Sequence, residues 1–281
     1  MSEQNPLSKH FRQPVLHIKL PSNGKYWPTG SINLPVTGEL PIYPLSAKDE
    51  IMLKSPDALL NGAGVVSAIQ SCVPNISDAW SMPSIDTDAI LIAMRIASFG
   101  NSLPVDATCL HCDTRQSFAI NLNTVAGSIP AATSTFDEVF TVDGLRIKFK
   151  PLTYFKTNTA SLIAFEQGKM ASIAADESLP LDDRKKHYSH HLNTLIDLNI
   201  QTFADSTEYI LTEDGIRVTQ PAFLLEFYQS IPRKLVSEIR EIYETLLNNS
   251  SLQPVTVTCE HEDCGKDFKI RLTFDYSNFF D

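Results

Sequence analysis

Of the residue types that can ligate a metal or act as a nucleophile, the cysteines have the most telling spacing. Four of the five form two close pairs, Cys109-Leu-His-Cys112 and Cys259-Glu-His-Glu-Asp-Cys264, while Cys72 stands alone. Zinc prefers four tetrahedral sulfur or nitrogen ligands, and two knuckles that each offer two thiolates from a hairpin tip are a common way to supply them. Cys109, Cys112, Cys259 and Cys264 are therefore the candidate metal ligands, for one structural Zn2+ per chain. The pairs are far apart in sequence and their spacers differ in length, so two alternatives stand beside this: His111 or His261 replaces one thiolate, or the pairs never meet. Four thiolates leave no open coordination position. The ion's expected work is to staple the middle of the chain to its end and supply folding free energy to a layer with little core of its own. A redox role for Cys109 and Cys112 would require the pair to open a helix after a strand, whereas here it lies between two strand-like segments.

Other candidates are weaker. His187, His190 and His191 share a helical face and could bind a metal, but a solvated face opposite Leu192 and Leu195 accounts for them. Arg95 interrupts an apolar helix, so it either snorkels or meets a carboxylate such as Asp49 or Glu50. Cys72, beside Ile69 and Val73, reads as a small core residue. Gly62-Ala-Gly64 follows no strand and precedes no Lys-Ser/Thr, so it is no phosphate loop. No Gly-x-Ser-x-Gly, His-Glu-x-x-His or kinase set occurs, and no catalytic residue or small-molecule site is assigned.

The elements that must position the cysteines follow from periodicity. Val15–Leu20 alternates and stops at Pro21-Ser-Asn-Gly24, giving an edge strand in an extended arm over residues 1–40. Ser46 and Asp49 make an approximate capping box for a short helix ending near Pro56. Further helices are predicted over Val65–Cys72 and from Ser84 to Phe99, the latter stopped by Gly100. Each cysteine pair then sits between strands: Val105–Thr108 and Ser117–Leu122 around the first, Val255–Thr258 and Phe268–Phe274 around the second. Asp143-Gly144 marks the turn of another hairpin over Phe136–Phe149. Helical spacing resumes after Pro151 for about a hundred residues. Tyr188, Leu192, Leu195, Ile196, Asn199 and Phe203 share one face of a helix begun by Asp182 or Asp183. Pro221 and Pro232 open two more helices, the second with a stripe of Leu235, Ile239, Ile242 and Leu246 and an end at Asn248-Asn249.

The expected fold class is α+β, with bundle-like helical segments and a small zinc-ribbon-like β layer formed by two cysteine-bearing hairpins, plus the N-terminal arm. The regions are 1–40 (arm), 41–100 (helical), 101–150 (hairpins with the first knuckle), 151–249 (helical) and 250–281 (second knuckle and tail). The chain has 281 residues, is 43% hydrophobic and carries a formal charge of -10, as expected of a soluble globular protein long enough to bury a core. Acidic balance and scattered basic residues argue against nucleic acid. The longest apolar run, Ala89–Met94, is too short to span a bilayer, and Met1–Pro6 lacks the basic flank of a leader, so no membrane association is expected.

Leu20-Pro-Ser-Asn-Gly-Lys-Tyr-Trp-Pro28, Leu45-Ser-Ala-Lys-Asp-Glu50 and the run Asp86 to Gly100 are followed by Cys-x-x-Cys. In that order they resemble the T-even base plate protein family, the baseplate hub and hub-assembly proteins of T-even-like contractile-tailed bacteriophages. The similarity covers roughly residues 14–125, more loosely Lys150–Thr153 and Phe279-Phe280. It implies a non-enzymatic structural protein of the phage virion that is assembled in the host cytoplasm, binds other baseplate hub and tail proteins, and helps to start tail assembly; a homo-oligomer within a symmetric assembly is compatible with that role. Two other readings are a transient assembly chaperone absent from the mature virion and a zinc-ribbon adaptor of another complex.

Overall fold

The computed structural model describes residues 5–55, 62–129, 135–174, 181–272 and 279–280, and among these it is a mixed α and β protein of eight α-helices and four small antiparallel sheets. The chain divides into two compact units, one of residues 1–79, 85–130 and 251–281, the other of 80–84 and 131–250.

In the first unit, β1 (Leu16–Lys19) pairs antiparallel with β2 (Glu39–Ile42), placing Leu16 opposite Ile42 and Lys19 opposite Glu39. Within the segment read as an arm, residues 1–40, Leu20, Ser22, Ser31 and Leu40 are buried, while many of the other described residues are exposed. Helix α1 (Ala47–Leu53) starts at the expected capping box, with Ser46 Oγ accepting from Asp49 N–H and the Asp49 carboxylate accepting from Ser46 N–H. Helix α2 (Ala63–Cys72) and helix α3 (Ser84–Phe99) follow, and α3 stops where Gly100 takes φ +88°. Val65, Val66 and Ile69 on α2 and Ile90, Ile92 and Met94 on α3 are almost wholly buried, as is Cys72, and supply much of this unit's apolar core.

Two ribbons complete the unit. β3 (Ser102–Thr108) pairs with β4 (Arg115–Asn121), and β9 (Val255–Thr258) pairs with β10 (Asp267–Ile270). A short helix, α4 (Leu122–Gly127), follows β4 directly and buries Leu122 and Val125; it was not expected. Its signal was Asn121, whose side chain accepts from Asn123 N–H as a cap.

The second unit is built on the sheet β5-β6-β7-β8. β5 (Val139–Val142) and β6 (Leu145–Phe149) form the expected hairpin, with Asp143 and Gly144 both at positive φ as a type I′ turn demands. Long helices α5 (Tyr154–Ala174) and α6 (Leu181–Ser206) form a hairpin. The chain then departs from the uninterrupted helical run read from sequence: Thr207–Leu211 is β7, paired with β6, and Arg217–Val218 is β8. Thr207-Glu-Tyr-Ile-Leu is rich in β-branched and aromatic residues, and β6 offers an open edge, so tertiary pairing overrides the helical register. Helices α7 (Pro221–Ser230) and α8 (Arg233–Ser250) begin at the expected prolines, α8 running past Asn248-Asn249. Its buried stripe is Leu235, Ile239, Tyr243 and Leu246. Tyr243 meets Phe149 and Phe203 with ring centroids 5.3 and 5.9 Å apart, and Phe203 also stacks on Tyr228. On α6, Phe203 is buried while Leu192 and Ile196 are exposed, so the apolar face read there is only partly covered.

Candidate metal centre

Each cysteine pair lies in the turn of a ribbon, and the two turns share a backbone design. Cys109 N–H donates to the Thr114 carbonyl and Cys259 N–H to the Lys266 carbonyl, both at 3.0 Å, closing each loop where its strands meet. The residue after the second cysteine is left-handed in both: Asp113 at φ +54° and Gly265 at φ +55°. Asp and Gly are among the few residues that accept this conformation cheaply, and it turns the chain so that both thiols of a pair point the same way. The second loop absorbs its two extra residues through Cys264 and Gly265 N–H groups, which both donate to the His261 carbonyl. Asp113, Thr114, Gly265 and Lys266 thus support the site although sequence reasoning did not select them. The shared Cys-then-Asp/Gly step was the available signal.

The ribbons meet. Phe118 of β4 and Phe268 of β10 make an edge-to-face contact with centroids 5.6 Å apart, and His111 Nε2 lies 3.3 Å from the Asp267 carbonyl. Gln116 Oε1 accepts from Glu260 N–H at 3.1 Å. The four sulfurs consequently converge: Cys109 and Cys264 Sγ are 3.8 Å apart, Cys112 and Cys259 Sγ 3.6 Å, and all four lie within 4.8 Å of one another. All are free thiols. A tetrahedron with metal–sulfur bonds of about 2.3 Å has edges of about 3.8 Å, so these separations fit one metal ion held by four sulfurs. His111 and His261 are outside this cluster, although His111 N–H donates to Cys109 Sγ at 3.4 Å.

The electrostatics point the same way. The Thr114 hydroxyl and backbone favour the Cys112 thiolate and lower that thiol to about 6. At Cys259 a backbone hydrogen bond at His261 also favours the thiolate, but burial and the neighbouring thiols outweigh it and push the group up to about 12. Cys112 thus ionises readily while Cys259 and Cys264 are raised, and a divalent cation is what allows several thiolates to coexist there.

The remaining candidates fall elsewhere. Cys72 is buried in the core, its thiol raised to about 12 chiefly by burial. Arg95 lies over the Phe99 ring at 4.6 Å, and the salt bridge of Asp49 is with Arg12. Arg12 also donates to the Pro44 and Ser71 carbonyls at 2.7 Å, tying the residues before β1 to α1 and α2. The side chains of His187, His190 and His191 lie outside the described residues.

The sequence segments that carried the family resemblance prove to be joined. Ser22 N–H and Oγ and the Trp27 indole N–H all donate to the Asp86 carboxylate on α3. Comparison with known families finds one described as T4 bacteriophage base plate protein, matching residues 16–281. No curated protein and no solved structure gives a significant match.

Proposed function

Because the chain belongs to the T4 bacteriophage base plate protein family, we propose that it is a non-enzymatic subunit of the central hub of the phage tail baseplate, where it binds other hub and tail proteins and helps to start tail assembly. The observation that carries this reading is the family match along nearly the whole chain, both cysteine pairs included. Among the described residues no helix is long and apolar enough to cross a membrane.

Within that role the four cysteines hold one zinc ion. Zinc suits four thiolates in a tetrahedron, and with every position taken by protein it has no place for a substrate. The metal fastens a ribbon from the middle of the chain to one from its end, where Phe118, Phe268, Ile120 and Ile270 offer only a small apolar core. Elemental analysis of the reduced, purified protein should give close to one zinc per chain, lost in Cys109→Ser. Mass spectrometry of purified virions should find the chain at fixed stoichiometry with hub proteins. Its absence from the finished particle would sink the subunit reading in favour of a transient assembly factor.

A further inference from the structure

We infer that the groove bounded by α6, α7 and α8 is a docking site for a partner segment that carries an apolar anchor flanked by carboxylates. The inference rests on the reading of the chain as a subunit that binds other tail proteins, and it supplies the partner's chemistry.

The groove encloses about 260 Å3. Ile200 and Phe203 of α6, Tyr228 of α7 and Val236 of α8 line it, and Arg233 and Arg240 complete the lining from α8. These two arginines are seven residues apart, so they stand on one helix face about two turns apart. Both are exposed, and among the described residues no carboxylate lines the groove. The Arg240 guanidinium lies 5.9 Å from the Phe203 ring centroid, its fork beside the apolar floor. A planar guanidinium there can take a carboxylate by two parallel hydrogen bonds while the neighbouring side chain of the partner enters the groove. Ile196, 54% exposed, extends the apolar surface by one more turn of α6.

Charge decides the class of occupant. The chain as a whole carries -10, so a lining with two cations and no anion stands apart from its surface. On the other side of α8, Glu238 and Glu241, with Glu138 and Asp143, line a separate groove of about 640 Å3 against β5. The buried stripe of α8 runs between the two grooves. An acidic segment is repelled from the β5 side and attracted to the arginine side. A second copy of so acidic a chain is disfavoured by long-range repulsion. The groove is small, of a size for one or two anchoring side chains, as in helix-in-groove and short-peptide recognition.

The test is fluorescence anisotropy with the full-length, zinc-loaded chain and three fluorescein-labelled probes at low salt. Glu-Glu-Leu-Phe-Glu-Glu should bind saturably. Lys-Lys-Leu-Phe-Lys-Lys and Glu-Glu-Ser-Ser-Glu-Glu should each bind at least about tenfold more weakly. The double variant Arg233→Glu/Arg240→Glu should lose at least about tenfold in affinity for the first probe, and Glu238→Lys/Glu241→Lys should keep it. Should the arginine double variant melt early, Arg233→Gln/Arg240→Gln gives the same comparison. No saturable binding of the first probe, equal binding of the basic probe, or an unchanged arginine variant overturns the inference. So does a dimer in sedimentation that the arginine variant dissolves, because the groove would then be a contact between copies. Binding that is intact in a chain absent from virions overturns the subunit reading and leaves the groove standing.

Discussion

The indole N–H of Trp27 donates to Asp86 Oδ2 at 2.7 Å, joining groups 59 residues apart. Ser22 adds a backbone N–H at 2.8 Å and its hydroxyl, so three donors converge on one buried carboxylate. The loop after β1 is thereby fastened to α3.

The pH dependence of that joint has a definite sign. Burial raises Asp86 from 3.8 to about 6 against the pull of its donors. The native state therefore holds this proton more tightly than the unfolded chain, and the contribution of Asp86 to stability declines as pH rises from about 4 to about 6. Trp27→Phe removes one donor to the ionised form. It should cost about 1.5–3 kcal/mol at pH 7 and distinctly less at pH 4, where Asp86 is protonated. Urea unfolding at the two pH values measures this, and a cost independent of pH would mean that the indole acts only through packing.

Asp88, two residues on, is also raised to about 6, by burial alone. Among the described residues no hydrogen bond offsets the penalty on its charge, so Asp88→Asn should stabilise the protein at pH 7 by about 1–2 kcal/mol and change little at pH 4. The same unfolding series decides it; loss of stability at pH 7 would reveal a partner for the carboxylate.

Asp49 behaves in the opposite sense. Burial alone would raise it, but hydrogen bonds from Ser46 and Ser71 and the Arg12 charge together hold it below 3.8. Its contribution is present above pH 4 and fades as pH falls through the lowered value. Arg12→Lys keeps the charge but loses the fork that reaches Ser71, Pro44 and Asp49 together. A cost of about 2–3 kcal/mol at pH 7 is expected, shrinking below pH 4; calorimetry at both values tests it.

For the metal centre, Cys109→Ser and Cys264→Ser should lower the melting temperature more than Cys72→Ser does, and a strong chelator should reproduce the loss in the wild type only. Equal effects of the three substitutions would count against a metal staple.

Features that close within a few residues were legible in the sequence. The Ser46–Asp49 capping box, the Asp143-Gly144 turn, the stop at Gly100 and the prolines opening α7 and α8 are each satisfied by neighbours in the chain, so residue type and spacing are enough to specify them. The four cysteines belong partly to this class, because each pair declares its own hairpin. That the two hairpins converge to sulfur separations of 3.6 and 3.8 Å was decided by tertiary contacts such as Phe118 on Phe268. β7 was missed for the same reason: Thr207–Leu211 becomes a strand because β6 presents an unpaired edge, and no local pattern announces that edge. Residue type and spacing alone specify which residues could ligate a metal, where most elements begin and stop, and the order of motifs that marks the family. Which distant groups meet, the Asp86 joint and the two grooves flanking α8 among them, follows from packing between elements far apart in the chain and has no local signature.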